Sequence, residues 1–261
     1  MKENKSLVKH FVEYKNGNAL SYLEFGDRNG YPILIQHGIV ASIKDHHLFT
    51  RLIKAGNRLI SAARPGYGQS SPYQMANIAE WGEIVSILVA DLNLAQFDVL
   101  GMSSGAPYSY AIGYKLPNKV RNIYIFSGTP ALFDDQVLKY WPYPIHKNAS
   151  ISDMAKVAKE VFFPNVTEEE LSKNDIKDSM MNDCFGIAQD LRLRCMGWGF
   201  LLSDLKATVY WEHSRVDQEV PFITAELTAK MIPNCQLRIR DGEHFSEERL
   251  DQFIKNIMLE Q

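Results

Sequence analysis

A serine between two glycines is the residue of this chain best suited to nucleophilic chemistry. The stretch Gly101-Met102-Ser103-Ser104-Gly105 follows a short apolar run, Phe97 to Leu100, and precedes a helical segment of small residues. A strand, a sharp turn and a helix in that order present a serine hydroxyl at the end of a sheet. Gly101 and Gly105 remove side chains that would collide in such a turn. The pattern predicts a nucleophile elbow with an exposed Ser103 Oγ, the alternative being an ordinary Gly-Ser loop.

The elements around this turn alternate between strands and helices. Two strand-like runs, Val8 to Tyr14 and Leu20 to Phe25, flank Asn16-Gly17-Asn18 and predict an opening antiparallel hairpin. Further strands are predicted at Pro32–Gln36, Arg58–Ala62, Val120–Phe126, Ala207–Trp211 and Gln236–Arg240, and helices at Asp45–Lys54, Ile78–Leu92, Pro221–Met231 and Ser246–Met258. This alternation indicates an α/β fold with a mostly parallel sheet flanked by helices.

The alternation is interrupted once, between about residues 131 and 205. This stretch contains helix-like segments and large apolar side chains but no convincing strand. Such an interruption is more often a cap than a separate domain. The predicted organisation is therefore a core of residues 1–130 and 206–261 with a helical cap inserted at 131–205.

Composition narrows the class of partner. With 261 residues and a net charge of −3, the chain suits one α/β domain and gives no electrostatic reason to bind nucleic acid or an anionic membrane. No apolar run reaches the length of a bilayer span, and Met1 to His10 lacks the apolar stretch of a signal peptide. Cys184, Cys195 and Cys235 are odd in number and widely spaced, which favours a reducing, cytoplasmic location. The run Lys44 to His47 reads as an ordinary helix start rather than a metal site.

Three motifs together resemble the α/β-hydrolase fold, and the resemblance covers nearly the whole chain outside the predicted cap. They are His37-Gly38 after the third strand, Arg64 to Ser70 (R-P-G-Y-G-Q-S), and Gly101 to Tyr108. The match is nearest to bacterial serine hydrolases of the esterase and aminopeptidase-like branch. Ala63 stands where an acid often precedes the R-P-G stretch, and Ile39 begins a loop that is often richer in glycine.

The resemblance implies a Ser-His-Asp triad. A serine hydroxyl needs a base to take its proton, and the base needs an acid to orient it. In this fold the chain order is serine, acid, histidine. His213 and His244 both lie beyond the predicted cap on expected loops, and His244 occupies the place before the last helix where the fold presents its base. Asp217 lies in a segment like the family's Asp-x-x-Val-Pro and is the predicted acid. Its rivals are Glu212, Glu219 and Asp241.

The resemblance also implies an oxyanion hole made by two main-chain N–H groups. One belongs to Ser104, directly after the nucleophile, and the other to Ile39, directly after His37-Gly38. His37 is expected to brace this loop rather than take part in the chemistry. His37, Gly38, Gly101 and Gly105 are thus supporting residues.

The expected function is hydrolysis of a carboxylic ester of a small molecule through an acyl-enzyme, with no cofactor or metal. The large side chains of the predicted cap suggest an apolar acyl or alkyl group. The alternatives that keep this triad are an aminopeptidase, a carbon–carbon bond hydrolase and an acyltransferase. An aminopeptidase would need acidic cap residues such as Asp134, Asp135 or Asp183 at the site. A non-catalytic small-molecule receptor is the alternative from another class, and the oligomeric state, a homodimer included, is open.

Overall fold

The eight strands follow the predicted order along the chain. The computed structural model describes residues 10–145 and 147–259. Val8 and Lys9, at the start of the predicted first strand, lie outside the described residues, as does His146 in the predicted cap. The strands are β1 His10–Tyr14, β2 Asn18–Gly26, β3 Pro32–Gln36, β4 Arg58–Ala62, β5 Phe97–Met102, β6 Val120–Phe126, β7 Thr208–Ser214 and β8 Cys235–Arg240.

All eight strands form one sheet in the order β1-β2-β4-β3-β5-β6-β7-β8. The pairs β1–β2 and β2–β4 are antiparallel, and every other pair is parallel. The predicted mostly parallel sheet is therefore confirmed. Because the parallel strands point the same way, the loops after β3, β5, β7 and β8 emerge at one edge, where ligands bind in open α/β sheets.

Helices cover both faces of the sheet, and further helices form the chain between β6 and β7. They are α1 Thr50–Lys54, α2 Ala79–Asp91, α3 Ala106–Lys115, α4 Asp135–Leu138, α5 Ile151–Phe162, α6 Glu168–Leu171, α7 Asn174–Leu193, α8 Phe222–Ala229 and α9 Glu247–Phe253, which continues as a π-helix over Ile254–Leu259. In α7, residues 181–184 have non-helical dihedral angles that kink the helix.

Strand side chains alternate between two apolar cores. Leu34 and Val99 belong to the core that includes α2 and α3, whereas Ile33, Ile35 and Leu100 belong to the core that includes α9. This is the period of two expected when both faces of a sheet are covered. A third cluster joins α5 and α7 to the loops of the sheet.

The segment between β6 and β7 contains α4 to α7 and, among its described residues, no strand. This composition agrees with a helical insertion, although the boundaries 131 and 205 stay a prediction. The segment packs on the edge of the sheet from which the motif loops emerge, since Tyr67 shares the third cluster with Met154 and Ile187.

Two predicted elements differ from the structure. β7 continues three residues past Trp211 to Ser214, so His213 lies in a strand and not on the predicted loop. Parallel pairing with β8, up to Ser214 opposite Arg240, extends the strand through polar residues that break the apolar pattern. The predicted helix Asp45–Lys54 is a 3-10 turn at His46–Phe49 followed by α1.

Candidate active site

Ser103 lies at the sharp turn between β5 and α3. Its φ of 47° is in the left-handed region, which non-glycine residues rarely adopt and which concentrates at functional sites. A Cβ on Gly101 would lie 2.3 Å from Ser109 Oγ, and a Cβ on Gly105 would lie 2.2 Å from the Gln36 carbonyl oxygen. Both neighbours of the turn must therefore lack side chains, which is the physical reason for the Gly-x-Ser-x-Gly spacing.

The structure brings Ser103, His244 and Asp217 together. His244 Nε2 lies 2.9 Å from Ser103 Oγ, and His244 Nδ1 lies 2.7 Å from Asp217 Oδ2. If Nδ1 donates to the carboxylate, Nε2 has a lone pair directed at the serine hydroxyl. This is the order of contacts that allows a histidine to accept a proton from a serine.

The Asp217 carboxylate is held ionised by its neighbours. Its side chain is fully buried, which alone would raise its pKa, but the hydrogen bond from His244 and the N–H of Val220 more than offset burial and lower the pKa. Oδ1 accepts from the N–H groups of Glu219 and Val220 at 2.9 and 2.8 Å. Asp217 is therefore an oriented anion beside His244.

The three rival acids occupy other positions. Glu212 lies 3.6 Å from Arg249, and Asp241 lies 3.7 Å from Arg215 at the surface. Glu219 approaches His244 Nε2 at 3.9 Å but not Nδ1. Asp217 is the carboxylate that contacts His244 on the side away from Ser103.

Arg249 in α9 holds the His244 loop, a role that no motif indicated. Its Nη1 donates to the carbonyl of His244 at 3.1 Å and also contacts the carbonyl of Glu243. Ser214 Oγ donates to the carbonyl of Gly242 on the same loop. These bonds fix the backbone on both sides of His244.

His213 is buried next to the site but does not contact Ser103. Its Nε2 lies 2.9 Å from the Val220 carbonyl oxygen and 3.5 Å from Asp217 Oδ2, so this nitrogen carries the proton. Burial lowers the pKa of His213, which keeps the ring neutral. His213 is a support beneath the Asp217 loop.

The loop after β3 is held by Arg64. Arg64 Nη1 donates to the His37 carbonyl at 2.7 Å, and Nη2 donates to the Gly38 carbonyl at 2.8 Å. The His37 ring is buried, donates from Nδ1 to the Gly38 carbonyl and accepts the Arg64 N–H at Nε2. Burial and the nearby Arg64 charge lower the pKa of His37 well below its usual value, so the ring is neutral. The expected bracing role of His37 agrees with these contacts.

The next N–H along this loop, that of Ile39, has no acceptor among the described residues. Ile39 and Ser104 both line a cavity that contains Ser103. The two residues predicted to form an oxyanion hole thus line the same cavity as Ser103.

An ion pair between Arg64 and Asp190 joins this loop to α7. The Arg64 guanidinium and the Asp190 carboxylate are 2.6 Å apart, with side chains 0% and 2% exposed. The hydroxyls of Tyr67 and Tyr108 donate to the same carboxylate at 2.9 and 2.6 Å. Arg64 and Tyr67 were part of the R-P-G-Y-G motif, but only the fold reveals Asp190 as their partner.

Two cavities meet at Ser103. The first, of about 280 Å³, lies under the segment between β6 and β7 and is lined largely by apolar side chains, among them Trp141, Met154, Val157, Phe162 and Leu191. The second, of about 630 Å³, is lined by His244 and by charged side chains that include Asp45, Lys173, Asp175 and Glu247. Apolar side chains, among them Val40, Leu48, Met102 and Phe126, line the second cavity as well, so apolar surface lies on both sides of the nucleophile.

The acids considered for binding an amine lie elsewhere. Asp134 caps α4 by accepting from Gln136 and Val137, and Asp183 pairs with Lys159. Neither these acids nor Asp135 line either cavity. Within residues 10–145 and 147–259 no group of three potential ligands could hold a metal ion. No helix in this part of the chain is both long and apolar enough to cross a membrane.

Sequence comparisons match only part of the chain. No protein-family model matches the chain. The uncharacterized hydrolase YcgS of Bacillus subtilis (strain 168) is 28% identical over 108 residues, which are 41% of this chain and 37% of that protein. The dihydrolipoyllysine-residue acetyltransferase component of the acetoin cleaving system of Pseudomonas putida is 24% identical over 144 residues, 54% of this chain and 39% of that protein. Each match thus spans well under two thirds of the relative's length.

Similarity to solved structures extends over the whole chain. The esterase EaEST from Exiguobacterium antarcticum superposes with a TM-score of 0.73 at 21% identity, covering 96% of this chain and 98% of that one. An α/β-hydrolase fold protein from Chitinophaga pinensis has a TM-score of 0.67 at 16% identity and covers 100% of both chains. The chain therefore has the α/β-hydrolase fold, as its motifs predict.

Proposed function

We propose that this protein is a serine hydrolase that cleaves carboxylic esters through an acyl-enzyme. The observation that carries the proposal is the chain of contacts from Ser103 Oγ to His244 at 2.9 Å and from His244 to Asp217 at 2.7 Å. The left-handed backbone of Ser103 and the presence of Ile39 and Ser104 in the same cavity support it.

In the proposed reaction Ser103 Oγ attacks the ester carbonyl carbon while His244 Nε2 takes the hydroxyl proton. The carbonyl oxygen becomes an oxyanion, which accepts hydrogen bonds from the N–H groups of Ile39 and Ser104. His244 then donates its proton to the departing alcohol, which leaves the acyl group on Ser103. Water, deprotonated by His244, attacks this ester, His244 returns the proton to Ser103 Oγ, and the carboxylic acid is released. Asp217 stabilises the imidazolium at both stages.

The substrate is proposed to be a small molecule with an apolar acyl group, because the cavity of about 280 Å³ beside Ser103 is lined largely by apolar side chains. The residues around 131–205 act as its cap. The free cysteines Cys184, Cys195 and Cys235 support a cytoplasmic location.

The test measures hydrolysis of p-nitrophenyl esters with short and medium acyl chains by three proteins: the parent, Ser103→Ala and Ser86→Ala. We expect Ser103→Ala to lower kcat by about five to six orders of magnitude. Ser86→Ala, which changes a serine of α2 away from the site, should keep the parent rate. A fluorophosphonate should label Ser103 and leave the Ser103→Ala protein unlabelled. Turnover that survives in Ser103→Ala, or a folded parent that neither turns over nor reacts, would contradict the proposal and favour a receptor.

A further inference from the structure

Arg194 places a positive charge in the apolar cavity next to Ser103. It follows the last residue of α7 and lines the cavity that contains Ser103 and Ser104. Its guanidinium lies over the ring of Trp141, 5.3 Å from the ring centre. Arg194 Nε is buried and has no hydrogen-bond acceptor among the described residues.

Two other enclosed arginines of this protein have carboxylate partners, whereas Arg192 Nη1, like Arg194 Nε, is buried without a hydrogen-bond acceptor among the described residues. Arg64 pairs with Asp190 at 2.6 Å, and Arg58 pairs with Glu24 at 2.6 Å. In the part of the chain that the structure describes, no ion pair joins Arg194 to a carboxylate. Burial lowers the pKa of Arg194, although a hydrogen bond with Cys195 and the negative charge of Asp190 act in the opposite direction. A partly buried cation that forms no ion pair loses part of its hydration, and an anion entering the cavity would offset that loss.

The positions of the two cavities decide which half of an ester lies beside Arg194. The departing alcohol must reach His244 Nε2 to receive its proton, and His244 lines the larger cavity. The acyl group must then occupy the smaller cavity, which is lined by Ser104 and Arg194. This assignment rests on the proposed function.

Glu219 sets the polarity of the acyl cavity. Its carboxylate lies 3.9 Å from His244 Nε2 and lines both cavities, whereas Arg194 lines the acyl cavity alone. The negative charge of Glu219, close to His244, repels an anionic group at the end of the cavity where the ester reacts. An acyl chain with a terminal anion would therefore extend away from Glu219 and towards Arg194.

We propose that Arg194 binds a carboxylate at the end of the acyl chain opposite the ester, so that the preferred substrates are half-esters of aliphatic dicarboxylic acids. A guanidinium can donate two parallel hydrogen bonds to a carboxylate, which gives both affinity and orientation. The apolar side chains Val157, Phe162 and Leu191 contact the intervening methylene groups. Arg194 thereby determines specificity, and the neighbouring N–H groups serve the chemistry.

The experiment compares hydrolysis of two p-nitrophenyl esters that differ in one charge. One is the p-nitrophenyl half-ester of adipic acid, and the other is the neutral diester methyl p-nitrophenyl adipate. Charged hydrogen bonds of this kind correspond to a preference in kcat/KM of about 10- to 100-fold for the anionic ester. Arg194→Met should lower kcat/KM for the anionic ester by that factor and so abolish the preference, and Arg194→Lys should restore part of it. Arg192→Met, the same substitution at an α7 arginine that does not line the cavity, should retain the preference for the anionic ester.

The same variants separate a binding role from a structural one. Arg194→Met removes a partly buried charge that forms no ion pair among the described residues, so its melting temperature should equal or exceed that of the parent. Hydrolysis of the neutral ester without any preference for the anionic one would overturn the role of Arg194 and leave the proposed function intact. A preference that survives in Arg194→Met would overturn it as well.

If neither ester is hydrolysed, the proposed function fails and calorimetry still decides the anion site. Monomethyl adipate is titrated into Ser103→Ala and into Ser103→Ala/Arg194→Met. Binding that is lost in the second protein supports the site, and absence of binding to the first overturns it. Succinyl and suberoyl half-esters then define the chain length that spans the cavity.

Discussion

Asp190→Asn removes the negative charge from an ion pair whose two side chains are almost fully buried. Arg64 would keep its positive charge, 0% exposed, with only neutral partners. Those partners are the carbonyls of His37 and Gly38 and the amide of the new asparagine. The substitution preserves the size of the side chain, so its effect isolates the charge.

The expected cost is about 3 to 5 kcal/mol, the usual result of removing one member of a buried ion pair. Total stability of a domain is about 5 to 15 kcal/mol, so the loss would be a large fraction of it. In a chain of 261 residues it would lower Tm by about 10 °C. Adding Arg64→Met should recover part of the loss, because the double variant contains no uncompensated charge.

The assay is equilibrium unfolding in urea, with Asp183→Asn as the matched control. Asp183 lies in the same helix, its side chain is 77% exposed, and it pairs with Lys159 at the surface. Its backbone is left-handed, a conformation that asparagine also tolerates. This control should unfold like the parent, since exposed ion pairs contribute little.

Activity gives a second measure of the same substitution. Arg64 positions the carbonyls directly before the Ile39 N–H, so its displacement should lower kcat by about tenfold or more with a smaller change in KM. An Asp190→Asn protein with the stability and kcat of the parent would refute the idea that this pair holds the loop.

Two further predictions concern the elbow and the buried histidines. Gly105→Ala should lower the free energy of unfolding in urea by about 3 kcal/mol or more, because its Cβ would lie 2.2 Å from the Gln36 carbonyl oxygen. A Cβ at Gly197 would have no atom within 4 Å, so Gly197→Ala should be tolerated. Equal losses in the two variants would contradict the prediction. His37 and His213 have lowered pKa values, so below the usual value of 6.5 the unfolded chain binds protons that the native protein does not. The free energy of unfolding should therefore fall as the pH is lowered from about 7.5 to about 5.5, by up to about 1.4 kcal/mol per pH unit for each histidine. His213→Gln should reduce this slope, and a flat pH profile of the parent would contradict the prediction.

The strand positions were predictable because each buried strand is a short apolar run bounded by turn residues. Pro32–Gln36, Arg58–Ala62 and Val120–Phe126 have in the structure the bounds that the sequence predicts. β7 was predicted too short, because its last residues, Glu212 to Ser214, are polar and their strand conformation depends on pairing with β8. Hydrophobic periodicity detects an apolar face and does not detect a polar strand end.

The site was partly predictable for a related reason. Ser103 is marked by local glycine spacing, and the loop position of His244 follows from the order of the elements. The roles of Asp190 and Arg194 have no local sequence signal. Asp190 contacts Arg64, 126 residues earlier in the chain. Arg194 is notable because its Nε lacks an acceptor among the described residues, which only the fold reveals. A charged residue inside an apolar helical stretch was the available hint, but it does not name the group that it faces.

This contrast between Asp190 and Arg194, four residues apart, separates support from recognition. The charge of Asp190 is satisfied by Arg64 and two tyrosine hydroxyls, so it is used within the protein to hold the loop that carries Ile39. Arg194 forms no ion pair among the described residues, its Nε has no acceptor there, and it lines the cavity beside Ser103. A charge that the fold has already neutralised can position other groups but gains little from a ligand, whereas an uncompensated one gains the most from an anion. Specificity is therefore expected to reside in the second charge and catalytic geometry in the first.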